Sequence, residues 1–312
     1  METLILEKDI GPKPAWFRIK PPTKTFHTIK ETIQKKSLHT VCEESHCPNM
    51  AECWSGGTTT FMVMGDTCTR GCRFCNIKTA LKGQPVDPEE PKKLVKALEE
   101  MNVFDYIVIT SVDRDDLRDQ GSNHFASCIK AIKQSNKEML VEVLIPDFQG
   151  NLKLLQNVTD AQPDVIGHNL ETVKRLQSRV RDRKANYHQS LEVLKNVKKL
   201  SPDIITKSSI MLGLGEKKEE VLQAMKDLRN IKVEILTLGQ YLRPSKKHLA
   251  VQEYITPETY EYYKQQGKKL GFKFVAADPF VRSSYKAGEL FIKNFLKEKI
   301  QRGIKSKAAA ET

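Results

Sequence analysis

Residues 61–75 read FMVMGDTCTRGCRFC, an apolar run followed by three cysteines. The run at 61–64 has the length and composition of a buried β-strand. Cys68, Cys72 and Cys75 follow in a CX3CX2C spacing, so the loop that leaves this strand presents three thiols. Three thiolates at that spacing can hold one small metal cluster from a single loop. The stretch therefore predicts a metal-bearing loop at the end of a strand.

This three-cysteine set leaves one metal position without a protein ligand. Iron–sulfur clusters usually have four thiolate ligands, and structural zinc sites are closed by four Cys or His ligands. An open iron of a 4Fe-4S cluster is where the methionine part of S-adenosyl-L-methionine (SAM) chelates in radical SAM enzymes, and the CX3CX2C spacing resembles that superfamily. Two other interpretations stay open, namely a zinc site with a distant fourth ligand and buried apolar thiols.

Three further cysteines precede this loop. The segment VCEESHCPNMAECW contains Cys42, Cys47 and Cys53 in a CX4CX5C spacing. We call these three the first triad and the cysteines of the CX3CX2C loop the second triad. The spacing of the first triad also fits zinc, with His46 as fourth ligand. Because the triads are so close in the chain, we expect two clusters facing one cavity, whereas the lone Cys128 is expected to be a core thiol.

Several segments resemble the lipoyl synthase family of radical SAM enzymes. The match is carried by LHTVCEE (38–44), CPN (47–49), ECW (52–54) and FMVMGD (61–66), and the first triad is that family's own signature. The resemblance implies radical-mediated insertion of two sulfur atoms, at C6 and C8, into an octanoyl chain on a lysine of a carrier domain. It also implies two 4Fe-4S clusters, one on the second triad that binds SAM and an auxiliary one on the first triad that serves as the sulfur source.

A serine near the C-terminus completes the expected ligand set. RSSY at 282–285 matches a lipoyl synthase motif whose second serine is the oxygen ligand of the auxiliary cluster, which implies this role for Ser284. A serine oxygen is a harder and more displaceable ligand than a thiolate. Without the resemblance, Ser283 and Ser284 fit helix caps before a helix over residues 286–297.

Apolar runs alternate with helical patterns from residue 60 onward. Strands are predicted over residues 61–64, 104–110, 139–145, 164–168, 204–212 and 235–241, and helices over 89–101, 123–134, 191–200, 217–230 and 259–270. Strand–helix alternation implies parallel pairing. We therefore predict an α/β fold, a partial (β/α)6 barrel of the radical SAM type over residues 58–272. An N-terminal extension (1–57) carries the first triad, and a C-terminal extension (273–312) carries the RSSY motif and a terminal helix.

The carboxyl ends of the strands are the expected place for the site, because the loops that follow the strands gather there. Polar residues follow the second and fourth predicted strands, namely Ser111, Asp113, Asn169 and Glu171. They offer acceptors for an ammonium group and for ribose hydroxyls, which SAM presents, so we expect them to contact SAM. The alternatives are a solvated charged turn over 113–116 and, for Asn169, a helix-start cap.

The chain of 312 residues is basic, with 51 Lys and Arg against 39 Asp and Glu and a formal net charge of +12. Such a charge fits nucleic acid, a membrane surface or an acidic protein. No apolar run approaches the ~18 to 20 residues that span a bilayer, and the N-terminus lacks a secretory or import pattern. Local cysteine triads favour reduced, metal-binding thiols over disulfides, which predicts a cytoplasmic protein.

The resemblance implies protein partners. These are octanoylated lipoyl carrier domains (2-oxoacid dehydrogenase E2 subunits and the glycine cleavage H protein), a ferredoxin or flavodoxin-type reductant and an iron–sulfur carrier protein. Carrier domains are commonly acidic, so the positive charge would steer association, and no nucleic acid or membrane is expected as a partner. Two alternatives remain: another radical SAM sulfur-inserting enzyme, similar to biotin synthase or a methylthiotransferase, and a zinc-bearing nucleic-acid-binding protein.

Overall fold

The computed structural model describes residues 11–16, 22–56, 58–102 and 104–284. Within them, ten strands are formed: β1 His39–Thr40, β2 Thr60–Val63, β3 Thr67–Cys68, β4 Lys78–Thr79, β5 Tyr106–Ser111, β6 Leu140–Leu144, β7 Val165–Gly167, β8 Ile205–Leu212, β9 Ile235–Gln240 and β10 Phe274–Ala277. Ten α-helices accompany them: α1 Lys24–Lys35, α2 Val41–Glu44, α3 Met50–Ser55, α4 Glu90–Met101, α5 Ser122–Ser135, α6 Leu152–Thr159, α7 Gln177–Val180, α8 Tyr187–Leu200, α9 Lys218–Asn230 and α10 Pro257–Lys269. Single 3-10 turns lie at Phe148–Gly150 and Lys174–Leu176.

Eight strands form one sheet in the order β1-β2-β5-β6-β7-β8-β9-β10. Strand β1 is antiparallel to β2, and every later neighbour pair is parallel. The sheet has two ends and so does not close, which confirms the predicted α/β partial barrel. All six predicted strands are present. A seventh parallel strand, β10, pairs with β9 through Phe274 opposite Ile235, inside the range that the sequence assigned to the C-terminal extension.

Helices cover the outer face of the sheet because each has one apolar side. In α4 the buried residues include Leu94, Ala97, Leu98 and Met101, the i, i+3, i+4, i+7 spacing of one helix face. Helix α10 buries Tyr260 and Tyr263 in the core, and Tyr262 is partly buried against it. None of the helices in the described ranges is long and apolar enough to cross a membrane.

The floor of the barrel is a buried polar layer. Lys207 of β8 places Nζ 2.7 Å from Oε1 and 2.9 Å from Oε2 of Glu142 in β6, and the hydroxyl of Tyr106 in β5 donates to the same carboxylate. Side chains two residues apart on a strand share a face. Ser209 therefore lies one layer above Lys207, and Leu144 one layer above Glu142, in the direction of the carboxyl ends of the strands.

Candidate metal and cofactor site

A cavity of about 530 Å³ lies at the carboxyl ends of the barrel strands. It is lined by every residue predicted from the sequence to hold a cluster or SAM: Cys42, Cys47, Cys53, Cys68, Cys72, Cys75, Ser111, Asp113, Asn169, Glu171 and Ser284. Residues far apart in the chain thus converge on one space. All seven cysteines are free thiols.

The second triad lies in the segment that follows β2 and lines the cavity. The backbone turns at Gly65, whose φ of +84° is in the region that favours glycine. The amide of Arg70 donates to Sγ of Cys68 at 3.4 Å, and the amide of Asp182 donates to Sγ of Cys72 at 3.3 Å. Amide donors of this kind stabilise a thiolate, so the loop is built to hold negative sulfur.

Burial keeps these thiols protonated when no metal is bound. It raises the pKa of Cys68 and of Cys72 to about 12, and that of Cys75 to about 11. The carboxylate of Asp113 also raises the pKa of Cys68. A coordinating metal deprotonates a thiol outright, because its positive charge outweighs the cost of burying the thiolate. The donor set therefore fits a bound metal cluster.

Arg70, inside the CX3CX2C motif, is buried and clamps the loop to the strand ends. Its guanidinium makes two bonds of 2.9 Å to Asp115, which follows β5, and two of 2.8 Å to Asp147, which follows β6. It also lies 3.4 Å from Asp113. Bidentate arginine–carboxylate pairs are strong and directional. The predicted alternative of a solvated charged turn at 113–116 is therefore wrong, since Asp115 and Arg114 are held in buried ion pairs.

The four residues predicted to contact SAM form an acceptor-rich wall. Burial is the main cause that raises the pKa of Asp113 to about 6 and the pKa of Glu171 above its usual range. Within the described ranges, the buried hydroxyl of Ser111 has no hydrogen-bond partner. The side-chain amide of Asn169 donates to the Glu171 carboxylate at 3.1 Å. No helix begins at this residue, so Asn169 is not a helix cap. An unsatisfied hydroxyl and under-compensated carboxylates fit a ligand with an ammonium group and hydroxyls.

The first triad lies on the short helices α2 and α3. The Thr40 hydroxyl caps α2 by accepting from the Glu43 amide at 3.2 Å, and the Cys47 amide donates to the Cys42 carbonyl at 3.0 Å. Burial is the main cause that raises the pKa of Cys42 to about 12, and the charge of the neighbouring Cys47 adds to it. The hydrogen bond from the Thr60 amide acts in the opposite direction. The Cys42 thiol therefore also fits a metal cluster better than a free anion.

The predicted zinc alternative used His46 as fourth ligand of the first triad. His46 lines the cavity but is exposed, and its Nδ1 lies 3.5 Å from the Asn76 amide nitrogen. Its backbone has a φ of +50°, which places it in a tight turn between α2 and α3. The groups that donate to Cys42 are instead the Thr60 amide and the side chains of Trp54 and Thr59.

The segment after β10 crosses the end of β9 and reaches the cavity. A Cβ on Gly239 would lie 1.8 Å from the Val281 carbonyl oxygen, so only glycine permits this approach. The side-chain amide of Asn49, in the first-triad segment, donates from Nδ2 to the Phe280 carbonyl oxygen. These contacts bring Ser284 to the cavity wall. Tyr285 and the predicted helix over 286–297 lie outside the described residues.

Sequence reasoning missed the roles of Asn49, Gly239 and Arg70. Two signals were present: Asn49 belongs to the CPN triplet, and Gly239 interrupts a β-rich run, which often marks a close backbone approach. Arg70 gave no signal of its own, because its carboxylate partners follow two other strands.

A group of possible metal ligands also lies outside the cavity lining. Ligand atoms of Glu90, His124 and Cys128 lie within 4.8 Å of one another. The Glu90 carboxylate, however, already accepts from His124 Nε2 at 2.6 Å and from the Met64 amide at 3.0 Å. The network thus anchors the start of the second-triad loop, and Cys128 is fully buried in the core as predicted.

Comparison with known proteins places the chain in a family. The Radical SAM superfamily model matches residues 62–228. The apicoplast lipoyl synthase of Plasmodium falciparum is 53% identical over 290 residues, covering 93% of this chain and 70% of that protein. The lipoyl synthase of Anaeromyxobacter is 54% identical over 285 residues, covering 91% of this chain and 96% of that protein.

Among solved structures, a methylornithine synthase superimposes with a TM-score of 0.52 at 10% sequence identity, covering 85% of this chain and 81% of that one. At that identity the likeness shows the fold alone. The sequence matches carry the assignment further, because they extend across both triads and nearly the whole chain. The chain belongs to the lipoyl synthase family, a group of sulfurtransferases within the radical SAM superfamily.

Proposed function

We propose that this chain inserts two sulfur atoms, at C6 and C8, into an octanoyl group bound as an amide to a lysine of a carrier protein. The observation that supports this most directly is that both cysteine triads and Ser284 line one cavity. A single metal-binding loop would serve one cluster. Two triads that face a common space suit a reaction in which one cluster activates the substrate and the other supplies sulfur to it.

The substrate carbons explain why such a site is needed. An unactivated methylene has no acidic proton and no leaving group, so acid–base side chains cannot open it. A 4Fe-4S cluster with SAM, when bound, supplies the hydrogen-abstracting radical chemistry that these carbons require. The protein contributes binding, orientation and exclusion of water. No side chain in the cavity is assigned as a general base.

In this proposal the second triad holds the SAM-binding cluster. Cys68, Cys72 and Cys75 would bind three irons and leave the fourth to SAM. Asp113 and Glu171 would face the positive charge and hydroxyls of SAM, helped by Ser111 and Asn169 at the same wall. A bound cation would lower the raised pKa of Asp113 and so keep it ionised.

The first triad would hold the auxiliary cluster, with Ser284 as its fourth, oxygen ligand. Cys42, Cys47 and Cys53 supply three thiolates from α2, α3 and the turn between them. A serine oxygen is more easily displaced than a thiolate, which suits a cluster that gives up its sulfide during the reaction. The contacts of Asn49 and Gly239 with residues 280 and 281 support this role, because they bring the serine segment beside the first triad.

The remaining wall of the cavity suits an alkyl chain. Apolar side chains line it between the two triads, among them Met62, Leu144, Ile210, Met211 and Leu242. Ligand sites are commonly lined by apolar groups with a few placed polar ones. An octanoyl chain entering from the mouth would lie against these residues and away from water.

The proposed substrates are octanoylated lipoyl domains of 2-oxoacid dehydrogenase E2 subunits and the glycine cleavage H protein. A ferredoxin or flavodoxin would supply electrons, and an iron–sulfur carrier protein would rebuild the auxiliary cluster. We further propose a cytoplasmic location, since reduced thiols are needed for both triads. The domain limits at residues 57 and 272 also stay a proposal.

The test is anaerobic reconstitution followed by reaction with SAM, a reductant and an octanoyl-lysyl peptide. We expect brown protein with about eight irons per chain and a dithiolated peptide detected by mass. Replacing the three cysteines of the first triad with alanine should halve the iron and stop sulfur insertion while SAM cleavage continues. The same change in the second triad should stop SAM cleavage.

Other results would favour other functions. An unchanged octanoyl group beside active SAM cleavage would point to a different sulfur-inserting enzyme. Colourless protein that contains zinc and binds nucleic acid in a salt-sensitive way would support the zinc alternative. A Ser284→Ala variant with full iron content and full sulfur insertion would remove Ser284 from the ligand set.

A further inference from the structure

Exposed basic side chains lie on the loops that surround the second triad. We call six of them the basic rim: Arg73, Lys78, Lys82, Arg183, Lys246 and Lys247. Arg73 lies within the CX3CX2C motif itself. Lys78 belongs to β4, which pairs with β3 at Thr67 and Cys68, and Lys82 follows in the same turn. This part of the rim is therefore fixed directly to the metal-binding loop.

The other rim residues reach the same place from two distant loops. Arg183 follows Asp182, whose carboxylate accepts from the Gly71 amide at 2.9 Å and whose amide bonds Cys72 Sγ. Lys246 and Lys247 precede His248, whose Nε2 lies 3.0 Å from the Cys75 carbonyl oxygen. Three separate segments are thus hydrogen-bonded to one loop, which gathers their positive charges around the second-triad loop.

Most of these charges are not neutralised by the protein. Lys78 lies 3.9 Å from Asp66. For the other five rim residues, no carboxylate among the parts of the chain that the structure describes lies within ion-pair distance. By contrast, the first-triad segment 41–55 contains Glu43, Glu44 and Glu52 and no lysine or arginine. Of the two triad regions, the one around the second triad therefore carries the greater positive charge.

One apolar side chain accompanies the rim. Leu81 is 96% exposed, the largest exposure among the large hydrophobic side chains of the described residues, and it lies between Lys78 and Lys82. A single exposed leucine is ordinary on a protein surface. Next to charged residues of the rim, however, it can form a dry contact in an interface whose edge is polar.

We propose that the basic rim, with Leu81, is the docking surface for an acidic face of the protein that carries the octanoyl-lysine. The inference rests on the proposed function. Complementary charge would steer the carrier to the side of the cavity where the second triad lies and would fix its orientation. The lysine arm would then enter beside the rim and extend its alkyl chain toward the apolar wall.

A protein fits this surface better than a nucleic acid. Proteins that bind single strands interleave basic residues with aromatic side chains on which bases stack. The rim segments 78–82, 183–184 and 245–247 contain no aromatic side chain, and Phe74 next to Arg73 is packed against the core. The rim also lies on loops whose neighbouring residues line the cavity, which suits a protein that presents one extended side chain.

The experiment compares two fourfold charge reversals in the reconstituted enzyme. The rim variant carries Lys82→Glu, Arg183→Glu, Lys246→Glu and Lys247→Glu. The matched control carries Lys137→Glu, Lys199→Glu, Lys232→Glu and Lys268→Glu, four exposed lysines that precede strands and so lie at the opposite end of the barrel. Both variants change the net charge equally. Each is assayed with an octanoylated E2 lipoyl domain, with a short octanoyl-lysyl peptide, and for SAM cleavage.

We expect the rim variant to raise the KM for the lipoyl domain roughly tenfold or more at low salt, with the difference shrinking as salt is added. The KM of the rim variant for the peptide and its rate of SAM cleavage should stay within about twofold of wild type. For the control variant, both KM values and the rate of SAM cleavage should also stay within about twofold, since exposed charges far from a binding site contribute little.

Three results would overturn the inference. The first is a rim variant whose lipoyl-domain KM matches that of the control. The second is a loss of peptide and carrier activity together, which would place the rim in the reaction itself. The third is tight, rim-dependent binding of a 30-nucleotide RNA with unchanged use of the lipoyl domain. If wild-type enzyme modifies neither peptide nor lipoyl domain, the proposed function itself fails, and that outcome is distinct from all three.

Discussion

His168 is a buried imidazole at the carboxyl end of β7, and its hydrogen bonds fix its neutral form. Its Nδ1 lies 2.9 Å from the Ile145 carbonyl oxygen, which can only accept. Its Nε2 lies 2.9 Å from Oγ of Ser190, and that hydroxyl accepts from Arg181 at 2.8 Å. Nδ1 therefore carries the proton, and Nε2 accepts from Ser190. Burial and the charge of Arg181 lower the pKa of His168 to about 4, although Asp147 opposes them.

This arrangement predicts that His168 weakens the fold as the medium becomes acidic. The ordinary histidine pKa of 6.5 lies above the folded value, so the unfolded chain binds a proton first and stability is lost as pH falls from about 6.5 to about 4. Between pH 7.5 and pH 5.0 the loss should be about 2 kcal/mol, since one pKa unit corresponds to about 1.4 kcal/mol. Urea unfolding of reduced, cluster-free protein at pH 7.5 and pH 5.0 measures it.

The control is a pair of substitutions. His168→Gln should remove this part of the pH dependence, whereas His188→Gln, at an exposed histidine of α8, should leave it intact. Equal pH dependence in wild type and His168→Gln would contradict the assignment. Reduced, cluster-free protein is used so that acid-labile clusters do not contribute.

At the level of single residues, spacing in the sequence predicted the cysteines well and their supporting contacts poorly. The CX3CX2C motif predicts where thiols converge, because all three come from one loop. The Asn49–Phe280 bond joins residues separated by 231 positions, which no local pattern reveals. Ser284 was reached only through a family motif, since a serine after a strand also fits a helix cap.

At the level of elements, the second-triad loop depends on its attachment to β5 and β6. Arg70 and the carboxylates of Asp115 and Asp147 are buried, so removal of any one of them leaves a buried charge without its counter-charge. The pKa of Asp115 lies well below its usual range because bonds from Arg70, Gln149 and Lys184 outweigh its burial. The loop is thus fixed to the barrel by ionic contacts as well as by its covalent connection to β2.

We predict that Arg70→Ala lowers the free energy of unfolding of the cluster-free protein by roughly 3 to 5 kcal/mol, because it leaves buried carboxylates without a counter-charge. Arg70→Lys should recover only part of this, since lysine cannot form two bidentate pairs. Denaturant unfolding measures both. Arg118→Ala, at an exposed arginine of the same strand–helix connection, should change stability by less than about 0.5 kcal/mol. A loss in Arg70→Ala no larger than in Arg118→Ala would contradict the clamp.

Elements were predictable where they are long and periodic. The six predicted strands and five predicted helices lie within a few residues of those in the structure, because each buries a continuous run or one clear face. Helix α6 was missed, since eight residues give barely two turns of periodicity. Strand β10 was not separated from the C-terminal extension because no further strand–helix alternation follows it.

At the level of the whole molecule, β10 adds residues 274–277 to the sheet of the barrel. It forms a parallel ladder with β9 at four positions, Val275 and Ala276 are buried, and Lys273 bonds Glu234 at 2.9 Å. The limit predicted at residue 272 would therefore fall between two strands of one sheet.

A truncation tests this. A chain ending at residue 272 should melt at a temperature roughly 5 to 10 °C below that of a chain ending at residue 284. The missing strand removes about 3 kcal/mol of apolar burial, and a protein of this size loses about 2 to 4 °C per kcal/mol. Differential scanning calorimetry of the two cluster-free, reduced chains measures the difference. Equal melting temperatures would support a domain limit at residue 272.

The hydrogen bond from Asn49 to Phe280 also bears on the order in which parts of the site form as the chain is synthesised and folds. The first triad is synthesised before the segment that reaches it after β10. Between them lie the strands β2 to β9, which must pair before Gly239 is in place to receive Val281. Contacts of such long sequence separation form late in folding. The wall that residues 280–284 add beside the first triad is therefore complete only after β9 has paired, and a cluster delivered before that point would meet an unfinished wall.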